Sequence, residues 1–191
     1  TGHGHYVDDD QTPGTLHATF VRSNVARGRI TKLDVTEALQ VPGVEAIYTG
    51  ADRNPTIVQY WASMMGPRIE MGGESVYPPV SVLAPGDVRY VGDPIAIVIA
   101  TSRYIAEDAA DLVEVEIDPL RPVLGLRAPI TNTDLVHPET ESNVSQTMPM
   151  QKIPEIEALF ANAPHVISRT FGGARATNVP MEPRGLTVQY D

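Results

Sequence analysis

The chain has 191 residues, no cysteine and a formal net charge of −10 at pH 7. Such an acidic balance opposes nucleic-acid and anionic-membrane surfaces, because both need clustered Lys and Arg. The lack of Cys removes disulfides, thiolate zinc sites, cysteine nucleophiles and cysteine-ligated iron–sulfur clusters from this chain.

The N-terminus, Thr1-Gly-His-Gly-His-Tyr6, has neither the basic region nor the apolar run of a signal peptide. It starts at Thr rather than Met, as expected of a piece of a longer polypeptide. No run approaches the roughly 18 apolar residues of a spanning helix, so no membrane-spanning segment is expected. Residues 1–15 read as an entry loop. Leu16–Arg22 alternates as a strand does. Asp34 and Glu37 suit a capping box and predict a short helix, which Pro42-Gly43 stops. Val44–Thr49 reads as the next strand. Residues 51–87, rich in Pro and Gly, read as a long surface excursion given apolar weight by Trp61, Met64, Met65, Met71 and Tyr77.

Ile95–Ala100 is a continuous apolar run, as in a central strand covered on both faces. Pro94 stands at its entrance, where a missing N–H does least harm. A helix is predicted over about 102–113. Its apolar stripe is Ile105, Ala109 and Leu112, joined by Ala106, Ala110 and Val113. Glu114–Asp118 reads as a strand with outward carboxylates, ended by Pro119. Residues 119–151 contain five prolines and no period, and predict an extended crossing between two bodies. Beyond it, a helix starts at Pro154 with an apolar face of Ile156, Leu159 and Phe160. Val166–Phe171 and Gly185–Tyr190 read as strands. One helix and two strands bury too little apolar surface to stand alone, so this tail reads as the start of a second domain.

Few side chains are spaced for chemistry. His3 and His5 with Asp8, Asp9 and Asp10 could suit zinc, nickel or copper, although alternate His in a Gly-rich terminus is usually solvated. His17 reads as structural, and His137 and His165 sit beside prolines without a nucleophile partner. Glu107, Asp108, Asp111, Glu114 and Glu116 fall on the outer faces of a helix and a strand, where carboxylates keep ordinary pKa values and make poor general acids. Gly72-Gly73 and Gly172-Gly173 are too short for phosphate cradles, and there is no G-x-S-x-G elbow.

Short matches run along the chain in order. They are Tyr6-Val-Asp-Asp9, Pro13–Ala18, Phe20–Ser23, Arg29-Ile30, Asp34, Ala38, Pro42-Gly-Val44 and Thr49–Asp52. Then come Val88-Arg-Tyr-Val-Gly-Asp-Pro-Ile-Ala96, Ala106–Ala110, Leu112–Val115, Asp118-Pro-Leu120, Pro122-Val123, Met181-Glu-Pro-Arg-Gly185 and Tyr190-Asp191. This set resembles the opening of the large subunit of molybdenum hydroxylases, the xanthine dehydrogenase, aldehyde oxidase and aerobic carbon monoxide dehydrogenase family. The matches are poorest at 53–80 and 124–155.

The resemblance implies an α+β fold of the α/β hammerhead type, a mixed sheet with short packed helices, followed by an incomplete second α/β domain. It implies a hammerhead at 1–123, a connector at 124–151 and the beginning of the first molybdopterin-binding domain at 152–191. The function it implies is the scaffold and interface portion of an oxidoreductase. Such an enzyme hydroxylates aldehydes or N-heterocycles, or oxidises carbon monoxide, with water as the oxygen source. The implied cofactor is molybdopterin in its cytosine dinucleotide form, bound mainly outside this chain. The implied partners are the remainder of the large subunit and iron–sulfur and FAD-bearing subunits or domains. The implied setting is cytoplasmic, with the periplasm left open.

The family's glycine-rich G-G-x-F-G-x-K segment and its glutamate base are absent, so no catalytic residue and no molybdenum contact carries over. Trp61, Met71 and Tyr77 are expected near the substrate funnel. Glu182 and Arg184 are expected at the interface with the cofactor domain, with Glu182 buried against Arg184 or a cofactor-domain group. The alternative is a stand-alone, non-catalytic binding or assembly module with the hammerhead fold. The substrate, electron acceptor and oligomeric state are not readable from these residues.

Overall fold

The apolar run at 95–100 becomes the middle strand of a sheet. In the computed structural model, which describes residues 2–9, 12–52, 81–145, 147, 153, 155–174, 176–177, 179–180, 182 and 184–189, this strand is β5. The strands are β1 (His17–Arg22), β2 (Gly28–Asp34), β3 (Val44–Thr49), β4 (Asp87–Val88), β5 (Pro94–Ala100) and β6 (Glu114–Pro119). The helices are α1 (Arg103–Asp111) and α2 (Ile156–Asn162). By contacts the chain divides into two units, Gly14–Pro149 and Thr1–Pro13 with Met150–Asp191.

The Gly14–Pro149 unit holds two three-stranded sheets, in the orders β1-β5-β3 and β4-β2-β6. Every recorded pairing is antiparallel. The expected mixed sheet is thus a pair of small antiparallel ones within the same α+β class. Ser102 caps α1: it is extended (φ −146, ψ 158) and its hydroxyl accepts from the Ile105 N–H at 3.2 Å. The predicted stripe faces inward, with Ala106 and Ala109 fully buried and Tyr104 on the solvent side. These small residues let α1 lie close against β1 and β5.

One core cluster gathers Ala38, Val98, Ala109 and Val113, and a second gathers Ala84, Val88 and Ile95. Leu33 and Val115 pack against both clusters and so join the two sheets. Covering of β5 on both faces is only partly realised. Ala96, Val98 and Ala100 are buried, whereas Ile97 and Ile99 are half-buried beside outward-facing Phe20, Ala18 and Tyr48.

Other expectations fail for local reasons. The helix predicted after Asp34 is a single 3₁₀ turn, Ala38–Gln40. The Asp34 carboxylate accepts from the Thr36 N–H at 2.9 Å, which closes a turn instead of capping a longer helix. Strand β2 has no clean alternation in sequence because its register shifts between Ile30 and Lys32.

The expected extended crossing also folds back on itself. Its described part carries 3₁₀ turns at Pro129–Thr131 and Pro138–Thr140. Each ends on a left-handed residue, Asn132 (φ 53) and Glu141 (φ 56). The proline content that argued for extension instead starts the two turns, since Pro presets φ there.

In the second unit, Val7–Asp9 is a 3₁₀ turn and α2 is the one α-helix among the described residues. Ile156, Leu159 and Phe160 do form one face of α2, but all three are exposed. The described residues of 166–171 and 185–190 are irregular, with Phe171 91% exposed, so the two predicted strands are not formed. Alternation gives a strand its faces but not its partner, and nothing pairs with these segments among the described residues.

Candidate functional site

The run Val88–Ala100 is a corner before it is a strand. Gly92 takes φ +91, which a side chain resists. The Asp93 carboxylate accepts from the Arg89 N–H at 2.8 Å and so closes the turn. The corner is tied to the end of β1 from both sides. The Gly92 N–H donates to the Ser23 carbonyl (2.7 Å), and the Ser23 N–H donates to that of Asp93 (2.9 Å). Arg22 Nη1 donates to the Gly92 carbonyl (3.0 Å) and its guanidinium lies 4.9 Å over the Phe20 ring. Ser23, 3% exposed, meets its polar need locally, since its Oγ donates to the Val25 carbonyl and accepts from the Val25 N–H.

From this corner the Arg89 side chain reaches residues 124–145. Its Nε donates to the Val136 carbonyl (3.3 Å) and its Nη2 lies 3.6 Å from Glu139, which also meets His137 Nδ1 at 3.1 Å. Desolvation alone would raise the Glu139 carboxyl. Its own backbone N–H, the His137 ring and Arg89 together hold it below the usual range. Sequence reasoning missed this cluster. Its members are 47 and more residues apart from Arg89, and no periodicity links them.

None of the sequence-derived carboxylates is arranged for proton transfer. Glu107 pairs with Arg103 one turn earlier on α1, and Glu114 pairs with Lys32 across the sheet. Glu114 is the main cause of the raised Lys32 pKa, first through its hydrogen bond and then through its charge. Glu107, Asp108, Asp111, Glu114 and Glu116 are all exposed, as ordinary surface ion-pair partners are. His3, His5, His17 and His165 are exposed as well. No group of three His, Asp or Glu able to hold a metal occurs among the described residues. Trp61, Met71 and Tyr77 lie outside the described residues.

Glu182 and Arg184 are brought together with the N-terminal turn inside the second unit. They line a hollow of about 330 Å³ with Tyr6, Val7, Asp8 and Asp9. Asp9 Oδ2 accepts from the Tyr6 N–H (2.9 Å), which fixes the turn, and Glu182 Oε1 accepts from the Val7 N–H (3.3 Å). Among the described residues Glu182 is exposed and bonded to a backbone amide. The turn at 7–9 offers an amide that a solvated carboxylate can reach without paying for desolvation.

The sequence profile described as "Aldehyde oxidase and xanthine dehydrogenase, a/b hammerhead domain" matches residues 1–121. The chain belongs to this family. Among hammerhead relatives, it is 38% identical over 191 residues to the nicotine 6-hydroxylase large subunit of Paenarthrobacter nicotinovorans, covering 100% of this chain and 22% of that protein. It is 34% identical over 203 residues to the carbon monoxide dehydrogenase large chain of Hydrogenophaga pseudoflava, covering 100% of this chain and 24% of that one. The crystal structure of quinoline 2-oxidoreductase from Pseudomonas putida 86 superposes with a TM-score of 0.51 at 37% identity, over 67% of this chain and 16% of that one. The chain thus spans about a quarter or less of the relatives it matches.

The hollow beside the N-terminal turn does not by itself fit a pterin cofactor. The hollow beside Glu182 presents Asp8, Asp9 and Glu182 against one Arg184, a balance that repels a phosphate-bearing group. No chemical step is therefore assigned to these side chains.

Proposed function

We propose that the chain is the N-terminal scaffold and interface portion of a molybdenum hydroxylase large subunit. The whole enzyme would be an oxidoreductase acting on an aldehyde, an N-heterocycle or carbon monoxide, with water as the oxygen source. On this reading residues 1–123 are the hammerhead, 124–151 the connector and 152–191 the beginning of the first molybdopterin-binding domain. Molybdopterin, in its cytosine dinucleotide form, is held by chain outside these residues. Iron–sulfur clusters and FAD on other subunits or domains carry the electrons away, and the complex works in the cytoplasm. Glu182 and Arg184 face the cofactor domain.

The observation that carries this reading is alignment along the entire chain, at 38% identity, with a hydroxylase large subunit of which the chain makes up 22%. The exposed apolar side chains of the second unit, Leu159, Phe160, Ile167 and Phe171 among them, support a surface made to be covered by further chain.

The test is co-expression of this chain with a second chain bearing the remainder of the large subunit, followed by metal analysis of the purified complex. Stoichiometric molybdenum in a stable complex is expected. A stable complex devoid of molybdenum, produced in a host that loads this cofactor into other enzymes, would sink the reading.

A further inference from the structure

Residues 124–145 have little apolar reason to stay folded. Leu124, Leu126 and Ile130 are 67%, 85% and 67% exposed, so burial contributes little to their fold. A polar network does the holding instead. Arg27 donates from Nη1 to the Arg121 carbonyl (3.0 Å) and from Nη2 to the Leu135 carbonyl (2.6 Å). Arg121 in turn lies 3.7 Å from Asp134.

Asn143 is the spool of the segment. Its Oδ1 accepts from the Val136 N–H (2.8 Å), and its Nδ2 donates to the carbonyls of Asp134 (2.8 Å) and Pro129 (3.2 Å). Its own N–H donates to Asn132 Oδ1 (2.9 Å). Thr140 Oγ1 closes the second 3₁₀ turn on the His137 carbonyl (2.8 Å). Residues 132–143 are thus tied mainly to one another. Beyond Arg27, their recorded side-chain tie to the β4–β5 corner is Arg89, through Val136 and Glu139.

We propose that Arg89 is the positioning residue of a latch. It fastens the strap, residues 124–145, to the signature corner Val88–Pro94, and the internal ties around Val136–Asn143 come undone together when the latch is broken, even with Arg27 still on the Leu135 carbonyl. The guanidinium suits this role because its planar fork serves a carbonyl and a carboxylate at once, which a Lys ammonium on a flexible stem does poorly. Its backbone is itself fixed by Asp93, so the turn of the signature motif and the side chain it presents form one device.

Amide hydrogen exchange on the full 191-residue chain tests this, with Arg89→Ala, Arg89→Lys and Glu139→Ala compared against the parent. The expected result is that Arg89→Ala raises exchange at Val136, Thr140 and Asn143 together by roughly tenfold, while the β5 amides keep their rates. Arg89→Lys should restore part of the protection. Glu139 lies on the partly exposed side of the latch, so Glu139→Ala should leave the core intact and open the same three amides. Unchanged strap rates in Arg89→Ala would overturn the proposal. So would loosening of β5 in step with the strap, because the residue would then act on global stability. If Arg89→Ala does not fold, Glu139→Ala decides: parent-like rates at all three amides would overturn the latch.

Discussion

Single residues set the turns on which this fold depends. Ser102 caps α1 through Ile105, and its replacement by Ala should cost about 1 kcal/mol. Chemical denaturation of Ser102→Ala and Ser102→Asp would check this, with Asp expected to keep most of the cap. Gly50 approaches the chain at Ala84 so closely that an added Cβ would lie 2.3 Å from the Ala84 carbonyl oxygen. Backbone meets backbone there and neither can swing aside. Gly50→Ala should therefore destabilise by about 2 kcal/mol, seen as a lowered denaturation midpoint.

Glu139 supplies a pH prediction. Its folded carboxyl lies below the ordinary 4.5. The ion pair therefore stabilises the strap fully above that value and loses its contribution as pH falls through the folded pKa. The protection of Val136, taken as exchange relative to the intrinsic rate at each pH, should fall on acidification below pH 4.5, and this fall should vanish in Glu139→Ala. Some of this scale was legible in sequence. Outward carboxylates on α1 and β6 followed from period alone, and Pro94 was placed at its strand entrance. The roles of Asn143 and Arg89 were not legible, since a polar side chain in a loop does not reveal which distant carbonyl it will meet.

At the scale of elements, period and burial decide what forms. Val98 is fully buried between α1 and the sheet, whereas Tyr48 points outward and is 52% exposed. Val98→Ala should cost about 2 kcal/mol through lost burial and the cavity left behind. Tyr48→Ala should cost under about 0.5 kcal/mol, and a urea titration of both variants separates the two. Strands β1, β3, β5 and β6 and helix α1 were legible because each has a clean period with a stop signal beside it. Strand β2 was hidden by its bulge, and β4 by being two residues long. Val166–Phe171 alternates as well as β1 does, but β1 has β5 to pair with. Strand-like alternation is necessary for a strand and does not supply its neighbour.

At the scale of the whole molecule, the Gly14–Pro149 unit has a core of its own, while the described residues of the other unit are largely exposed. The Gly14–Pro149 unit has two joined core clusters and a tied strap. The described residues past 162 are irregular and exposed. Among the described basic residues, trypsin acting on the chain alone should therefore cut at Arg169 and Arg184 before Arg27 and Lys32. If Arg184 faces the cofactor domain as proposed, it should become protected in complex with a cofactor-bearing chain. Family and fold class were legible in the collinear motifs. The folded strap was not, because it is set by long-range hydrogen bonds.

The most direct measurement of the central claim is turnover in ¹⁸O-labelled water. The chain alone and its complex with the remainder of the large subunit and the electron-transfer subunits would be assayed on aldehydes, N-heterocycles and carbon monoxide. The complex should place oxygen from water in the product, and the 191-residue chain alone should turn over nothing. Turnover by the chain alone, or a complex whose product oxygen comes from dioxygen, would contradict that claim.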